Sequence, residues 1–378
     1  MWDNSNHMLY LDHAATTPMR PAVWEAMEPF VADTFGNSSG SHGVSRRAKN
    51  ALEEAREVLA GLIGARPQEI VFTSGGTEAD NLAIKGPSLS SSGGGVVTTA
   101  IEHEAVLESA HFLAGLGRSV VEVPPEPSGL VDPDRFAAAI SPGTAVASVM
   151  TANNETGAVL PVAAIVRVVR SVAPRAAIHT DAVQAFNSED INVDDLEVDL
   201  LSLAAHKFGG PRGVGLLYVR AGTALEPVLH GGGQELGLRS GTHNVMGAVG
   251  MAVAAQLAVV DRSHFRARVG PERDVFEVRL GELVGAVRTI DGERLPQHAH
   301  LRFPNRINET MLIQLDQGGV AGSAGSACQS GAVTPSHVLT AMGMSASEAA
   351  ECLRFSFGWT TEAGDGLKAA ELVAGVLS

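Results

Sequence analysis

Cysteine is nearly absent from this chain, with two residues in 378. Two thiols cannot build a disulfide framework, so a reducing, cytoplasmic compartment is the expectation. Lysine is almost as scarce: Lys49, Lys85, Lys207 and Lys368 are the only four. Positive charge as a whole is short, since 27 Lys and Arg stand against 42 Asp and Glu for a formal net charge of -15. Such a surface repels phosphate backbones and disfavours direct nucleic-acid binding. No unbroken apolar run reaches about 18 residues, so no membrane-spanning helix is expected. The opening "MWDNSNHMLYLD" has neither the basic nor the apolar region of a signal peptide. No repeat of fixed period is evident. What remains is a globular composition, 45% hydrophobic with a mean hydropathy of +0.11, in a chain long enough for two domains.

Apolar runs alternate with helical patterns. "EIVFTS" (69–74), "GVVTTA" (95–100), "SVVEVP" (119–124), "AVASVM" (145–150), "AAIHTD" (176–181), "DLLSLAA" (199–205) and "VGLLYV" (214–219) read as buried strands. "SRRAKNALEEAREVLAGLIG" (45–64) and "VAAIVRVVRSVA" (162–173) read as helices between them. The alternation predicts an α/β fold with a mainly parallel seven-stranded sheet covered by helices. A Gly-rich break, "HGGGQELGLRSGTHN" (230–244), follows the last of these strands, and then a long helical tract from about 246 to 287. The chain is expected to divide into a large α/β domain, residues 15–255, and a smaller α+β domain made of 1–14 and 256–378. "SLSSSGGG" (88–95) reads as a polar surface loop, and Cys352 falls in a helix-like stretch.

Ligands of open α/β sheets bind beyond the carboxyl ends of the strands. Those ends carry "TSGGTEADN" (73–81) with Gly76 and Thr77, then His103, Asn153 and Asn154, Asp181 and Gln184, and His206 with Lys207. Lys207 follows a buried-looking run. Partial desolvation lowers a lysine pKa and makes it a competent amine nucleophile, although a structural ion pair is the plainer reading of the position. Lys85 sits before "GP" at a helix end, an ordinary solvated place. Asp181 occupies the same kind of place as Lys207, and a buried carboxylate near a reactive lysine suits pyridoxal phosphate. That cofactor needs a lysine and an acid group at its ring nitrogen. The glycines of "SGGTE" let a phosphate approach a helix N-terminus, with Thr77 adding a hydroxyl or serving as a plain N-cap. No metal site is expected. The other cysteine, Cys328, lies in "GVAGSAGSACQSGAVTPS" (319–336), where nothing bulky packs the thiol into a core.

The ordered set "YLDHAATTP" (10–18), "SGGTEADN" (74–81), "IEHEAV" (101–106), "NNETG" (153–157), "HTDAVQ" (179–184), "HKFGGPRGVG" (206–215), "GGGQELGLRSGT" (231–242), "GSACQSG" (325–331) and "LRFSFG" (353–358) resembles the cysteine desulfurases. These are pyridoxal 5′-phosphate enzymes of fold type I in the aminotransferase class V superfamily. The Ser-Ala-Cys-x-Ser loop resembles the NifS/IscS-like group.

That resemblance implies a role for each matched residue. Lys207 forms the Schiff base with the cofactor, His103 stacks on its ring, Asp181 pairs with the ring nitrogen and Gln184 with the ring hydroxyl. Asn154 lies near the cofactor oxygen and the substrate carboxylate, while Gly76, Thr77 and His206 serve the phosphate. Thr242 reaches the phosphate of a neighbouring subunit, which implies a homodimer. Arg354 clamps the carboxylate of L-cysteine with its planar fork; a surface ion pair is its plainer reading. Cys328, as thiolate, attacks the substrate sulfur and becomes a persulfide while alanine leaves. His103 is the acid/base partner. The sulfur then passes to a protein acceptor in iron–sulfur cluster assembly, tRNA thiolation or DNA sulfur modification. Three positions depart from the family. Ala204 stands where a phosphate-binding serine or threonine is usual, Gln234 where histidine is common, and "GNSSGSH" (36–42) lacks a proline. Ser202 is a candidate to compensate for Ala204. Two other readings stay open: another class V enzyme, such as a selenocysteine lyase or an aminotransferase, and a sulfur-transfer platform with weak turnover until a partner docks. An aminotransferase would have no use for Cys328.

Overall fold

A computed structural model describes residues 8–91, 93–325 and 335–378. The first strand, β1 (Leu9–Tyr10), stands apart from a seven-stranded sheet built of β2 (Ile70–Thr73), β3 (Gly95–Thr99), β4 (Val120–Val123), β5 (Thr144–Ser148), β6 (Ala177–Asp181), β7 (Leu200–Ala204) and β8 (Gly215–Val219). Their spatial order is β2-β8-β7-β6-β5-β3-β4, and only β8 runs against the rest. All seven expected strands are therefore present, in a mainly parallel sheet. One differs in character. β4 is the sheet edge and leaves Val121 39% exposed, because a strand with a neighbour on one side only is half covered.

Helices close both faces. In the helix Gly43–Leu62 the residues Ala48, Leu52, Ala55 and Leu59 fall on one stripe and are buried, and His42 caps its start by accepting from the Ser45 N–H. The helix Gly76–Ser90 covers the other face, packing Ala79, Leu82 and Ala83 on Val71, Leu200 and Leu217. It runs further than the sequence suggests. Lys85 lies inside it, with its ammonium 4.6 Å from the Phe112 ring centroid, and the supposed loop at 88–95 begins as its last turn. Ser88 there is buried and donates to the Gly94 carbonyl at 2.8 Å.

A 40-residue helix, Val245–Val284, crosses between two cores. Its first part, through Ala258, packs in the core of the large sheet. From Phe265 onward it packs in a second core with Leu11, Phe303, Phe355 and Val373. The boundary expected at residue 255 falls inside this helix. One stretch of it has the length and composition of a membrane span, with a mean hydropathy of 1.4. More than half of that stretch is buried inside the protein, as for a core helix. The second core carries a three-stranded sheet, β9 (Val287–Arg288), β10 (His298–Arg302) and β12 (Cys352–Ser356), in the order β12-β10-β9. β1 pairs in parallel with β11 (Val320–Ala321). Cys352 thus begins a strand rather than lying in a helix. It is fully buried, and burial pushes its thiol up to about 12, which leaves it unreactive.

Candidate active site

The carboxyl ends of β6 and β7 place Asp181 and Lys207 close enough to interact electrostatically. β7 ends at Ala204, and a single tight turn, Ala205–Lys207, lifts the lysine off the sheet. Its Nζ donates to the carbonyls of Ala14 (2.5 Å) and Ala15 (2.9 Å), and Gln184 Nε2 donates to the same Ala14 oxygen at 2.9 Å. Asp181 is 6% exposed and accepts from the Val183 N–H at 2.8 Å. Burial pushes its carboxyl up, while the nearby His103 and Lys207 pull it back. His103 caps the helix Glu104–Gly115 with its Nδ1, which accepts from the Ala105 N–H at 3.1 Å. The neutral ring therefore carries its proton on Nε2, and burial favours that neutral form by lowering its pKa. The cap occupies Nδ1 alone and leaves Nε2 for chemistry.

Next to the lysine lies a cavity of about 380 Å³ bounded by Thr16, Gly75, Gly76, Thr77, His206 and Arg212. It opens on the start of the helix Gly76–Ser90, where the first N–H groups have no intrahelical acceptor. Gly75 is the N-cap at φ +156°, a conformation nearly closed to side-chain-bearing residues. Thr77 is consequently the second helical residue and not the N-cap, and its hydroxyl makes no hydrogen bond among the described residues. His206 Nδ1 meets Thr16 Oγ1 at 3.1 Å, and burial lowers this imidazole to about 4, so it is neutral at pH 7. Ser202 does not compensate for Ala204. Its hydroxyl lies 3.0 Å from His179 Nε2, inside the sheet.

On the far side, Arg354 projects from β12 and is 3% exposed. Its Nη1 donates to the Asn154 carbonyl and its Nη2 to Asp12 Oδ1, both at 2.8 Å. The ion pair is real but not superficial. Arg354 Nε and Asn154 Oδ1 are buried without a partner among the described residues. A spare donor and a spare acceptor in one buried place suit an amino acid with its carboxylate and ammonium. His300 lies directly opposite Arg354 on β10, and burial keeps it neutral at about 3, so it does not repel the guanidinium.

Cys328 lies outside the described residues. The residues that flank 326–334 do converge on Glu155: Ser336 Oγ donates to Glu155 Oε2 at 2.6 Å, and a Cβ on Gly325 would stand 2.7 Å from the same oxygen. Thr242 is exposed. The structure adds Asp12, Thr16 and Arg212, which lay unassigned inside the motifs "YLDHAATTP" and "HKFGGPRGVG". Nothing in their spacing marks them, because a fold has to bring residue 12 to residue 354. Among the described residues no group of His, Cys, Asp and Glu is arranged to hold a metal.

Comparison with known proteins agrees with this geometry. The aminotransferase class-V family model matches residues 9–365. The cysteine desulfurase IscS of Dictyoglomus turgidum is 43% identical over 93% of this chain and 90% of its own. An IscS-like cysteine desulfurase of Mycobacterium tuberculosis is 42% identical over 98% of this chain and 96% of its own. Among solved structures, a NifS-like protein superposes with a TM-score of 0.92 at 34% identity, covering 98% of this chain and 99% of that one. SspA in complex with cysteine gives 0.83 at 38% identity, covering 92% and 98%.

Proposed function

This chain belongs to the aminotransferase class-V family and, within it, to the cysteine desulfurases of the NifS/IscS-like group; from that premise we propose which of its residues carry the reaction, and for what purpose. The family depends on pyridoxal 5′-phosphate, and the residues here fit that group. A lysine, a buried carboxylate and a glycine-based cradle at a helix start are arranged as its amine, ring-nitrogen and phosphate partners. The cofactor supplies an electron sink for negative charge at the substrate Cα.

The chain's own residues do the rest. Lys207 would hold the cofactor through its amine and would serve as the base at the substrate Cα, with the Ala14 and Ala15 carbonyls placed to hold its charged form. Asp181 would supply the negative charge that holds the ring nitrogen protonated, and Gln184 an amide for the ring hydroxyl. His103 would contact the cofactor ring and would move protons at Nε2, since Nδ1 is committed to the Ala105 N–H. Arg354 and Asn154 hold the carboxylate of L-cysteine. Gly76, Thr77 and His206 bind the phosphate, joined by Thr242 of a second subunit, so the working unit is a homodimer. Cys328 attacks the substrate sulfur as thiolate. Its new S–S bond takes the sulfur, the C–S bond electrons stay with the carbon skeleton, and the skeleton leaves as alanine. The persulfide passes to a protein acceptor in the cytoplasm. Iron–sulfur cluster assembly is the destination best supported, by the IscS relatives.

The observation that carries this reading is the lysine at the end of β7 beside a buried Asp181 and a partly buried His103. It is tested with Cys328→Ser. The variant should keep the bound cofactor's visible absorbance and lose both protein persulfide, read by alkylation and mass spectrometry, and alanine release. Persulfide on another residue, or unchanged ³⁵S transfer from labelled L-cysteine to an acceptor, would show the nucleophile to be wrong.

A further inference from the structure

The 230–244 loop is held in an unusual way. Glu235 (φ 47°) and Leu236 (φ 59°) are consecutive residues in the left-handed region, and neither is glycine. Their side chains go opposite ways: Glu235 is 6% exposed and Leu236 74%. The buried carboxylate accepts four hydrogen bonds. Arg56 gives two, Nη2 to Oε1 at 2.7 Å and Nη1 to Oε2 at 2.9 Å. The Phe72 N–H gives a third at 2.8 Å, and His243 Nε2, 2.9 Å from Oε1, completes the set. His243 is in turn fixed at Nδ1 by Ser38 Oγ, 2.8 Å away. On the other side of Thr242, the Gly241 N–H donates to Gln234 Oε1 at 2.9 Å, and Arg239 Nε donates to Glu78 Oε1 at 2.7 Å. Glu78 is the residue after Thr77, at the cradle of the proposed phosphate site.

Thr242 is therefore clamped through both neighbours, yet its side chain is exposed and makes no hydrogen bond among the described residues. Strained backbone persists where surrounding contacts over-determine it, and such strain concentrates at functional sites. The apolar side chains of Val228, Leu229 and Leu236 stand exposed on the same loop and its approach, as on a surface that another protein covers.

We propose that Glu235 is a positioning residue for the partner's active site: its carboxylate locks the 230–244 loop so that Thr242 is presented to the cofactor phosphate held by a second copy of this chain. This rests on the shared-site homodimer proposed above. Glu235 touches neither substrate nor cofactor and acts through Thr242.

The test uses full-length chains co-expressed with two different tags, so that mixed dimers can be isolated, and reads cofactor retention by dialysis and visible absorbance. Glu235→Gln should weaken pyridoxal phosphate binding by about 10-fold, the scale of one hydrogen bond to a charged group. A Lys207→Ala chain cannot hold the cofactor covalently. Paired with a Glu235→Gln chain, it leaves one lysine site, which faces the intact loop of the Lys207→Ala chain. That site should regain wild-type affinity. Thr242→Ala, paired the same way, should also recover. If Thr242→Ala recovers and Glu235→Gln does not, Glu235 acts within its own chain and the proposal falls while the shared site stands. If Thr242→Ala fails to recover, the shared site falls and takes the proposal with it. Wild-type binding by the Glu235→Gln homodimer also overturns it. Should Glu235→Gln not fold, His243→Gln cuts one of the four bonds and leaves the Arg56 pair intact, with the same outcomes expected.

Discussion

Ala204→Ser separates two consequences of one added oxygen. Ala204 is 1% exposed at the end of β7, and its Cβ lies 3.6 Å from where a Cβ on Gly76 would stand. A hydroxyl at that place enters the cradle at the start of the helix Gly76–Ser90. Without a ligand it is a buried polar group with no assured partner, which costs roughly 1–3 kcal/mol. With phosphate bound it donates to a charged acceptor, a bond of about 1.5–3 kcal/mol. The two forms should therefore move in opposite directions. The cofactor-free protein should melt at a lower temperature than its parent, and the cofactor should bind about 10-fold more tightly, since 1.4 kcal/mol is a factor of ten. Calorimetric melting of both forms and equilibrium dialysis against pyridoxal phosphate measure this. Ala204→Val is the control, adding bulk without a donor, and should weaken binding. A serine variant that melts lower in both forms and binds no better would refute the reasoning, because the phosphate would then lie elsewhere.

Lys207→Ala should abolish the visible absorbance of bound cofactor without lowering the melting temperature of the cofactor-free protein; retained absorbance would displace the lysine from its role. Arg354→Lys keeps the charge but loses the fork that spans Asn154 and Asp12, so KM for L-cysteine should rise about 10–100-fold, the worth of one charge-assisted hydrogen bond, while cofactor absorbance stays. Stability should fall with acid because of buried neutral histidines. His179 and His300 titrate at about 3 in the folded chain against 6.5 when unfolded, so below pH 6.5 the unfolded chain binds the extra protons. Each then removes about 1.4 kcal/mol per pH unit down to pH 4. Glu102, raised to about 8 by burial, works the other way between pH 4.5 and 8, as do Asp80, Glu155, Asp181 and Glu189, which burial also raises. His13, His206 and His298, all lowered by burial, add to the histidine side. Denaturant midpoints at pH 4.5, 5.5 and 6.5 should fall in that direction, and His300→Asn should flatten the slope.

Much of the architecture is legible in residue order. Buried parallel strands need near-continuous apolar runs, and all seven stood out for that reason. The misreadings have a common cause. Cys352 sits in a stretch whose local pattern suits a helix, yet pairing with β10 draws it into a strand. The helix Gly76–Ser90 carries Lys85, Gly86 and Pro87, which look like a stop, but packing on the sheet and the turn bond from Ser88 to Gly94 hold it together. Local propensity is weak beside tertiary burial.

By itself the sequence determined the fold class, the family and which candidate site residues stand at strand ends, because periodicity and ordered motifs are written in neighbouring positions. Only the tertiary structure decided that Asp12 pairs with Arg354, that Ser202 is turned inward to His179 and so cannot replace the missing hydroxyl at Ala204, and that Glu235 clamps the exposed Thr242 loop. Those facts join residues 23 to 342 positions apart. They depend on which groups are desolvated together, and a linear order of residues does not carry that information.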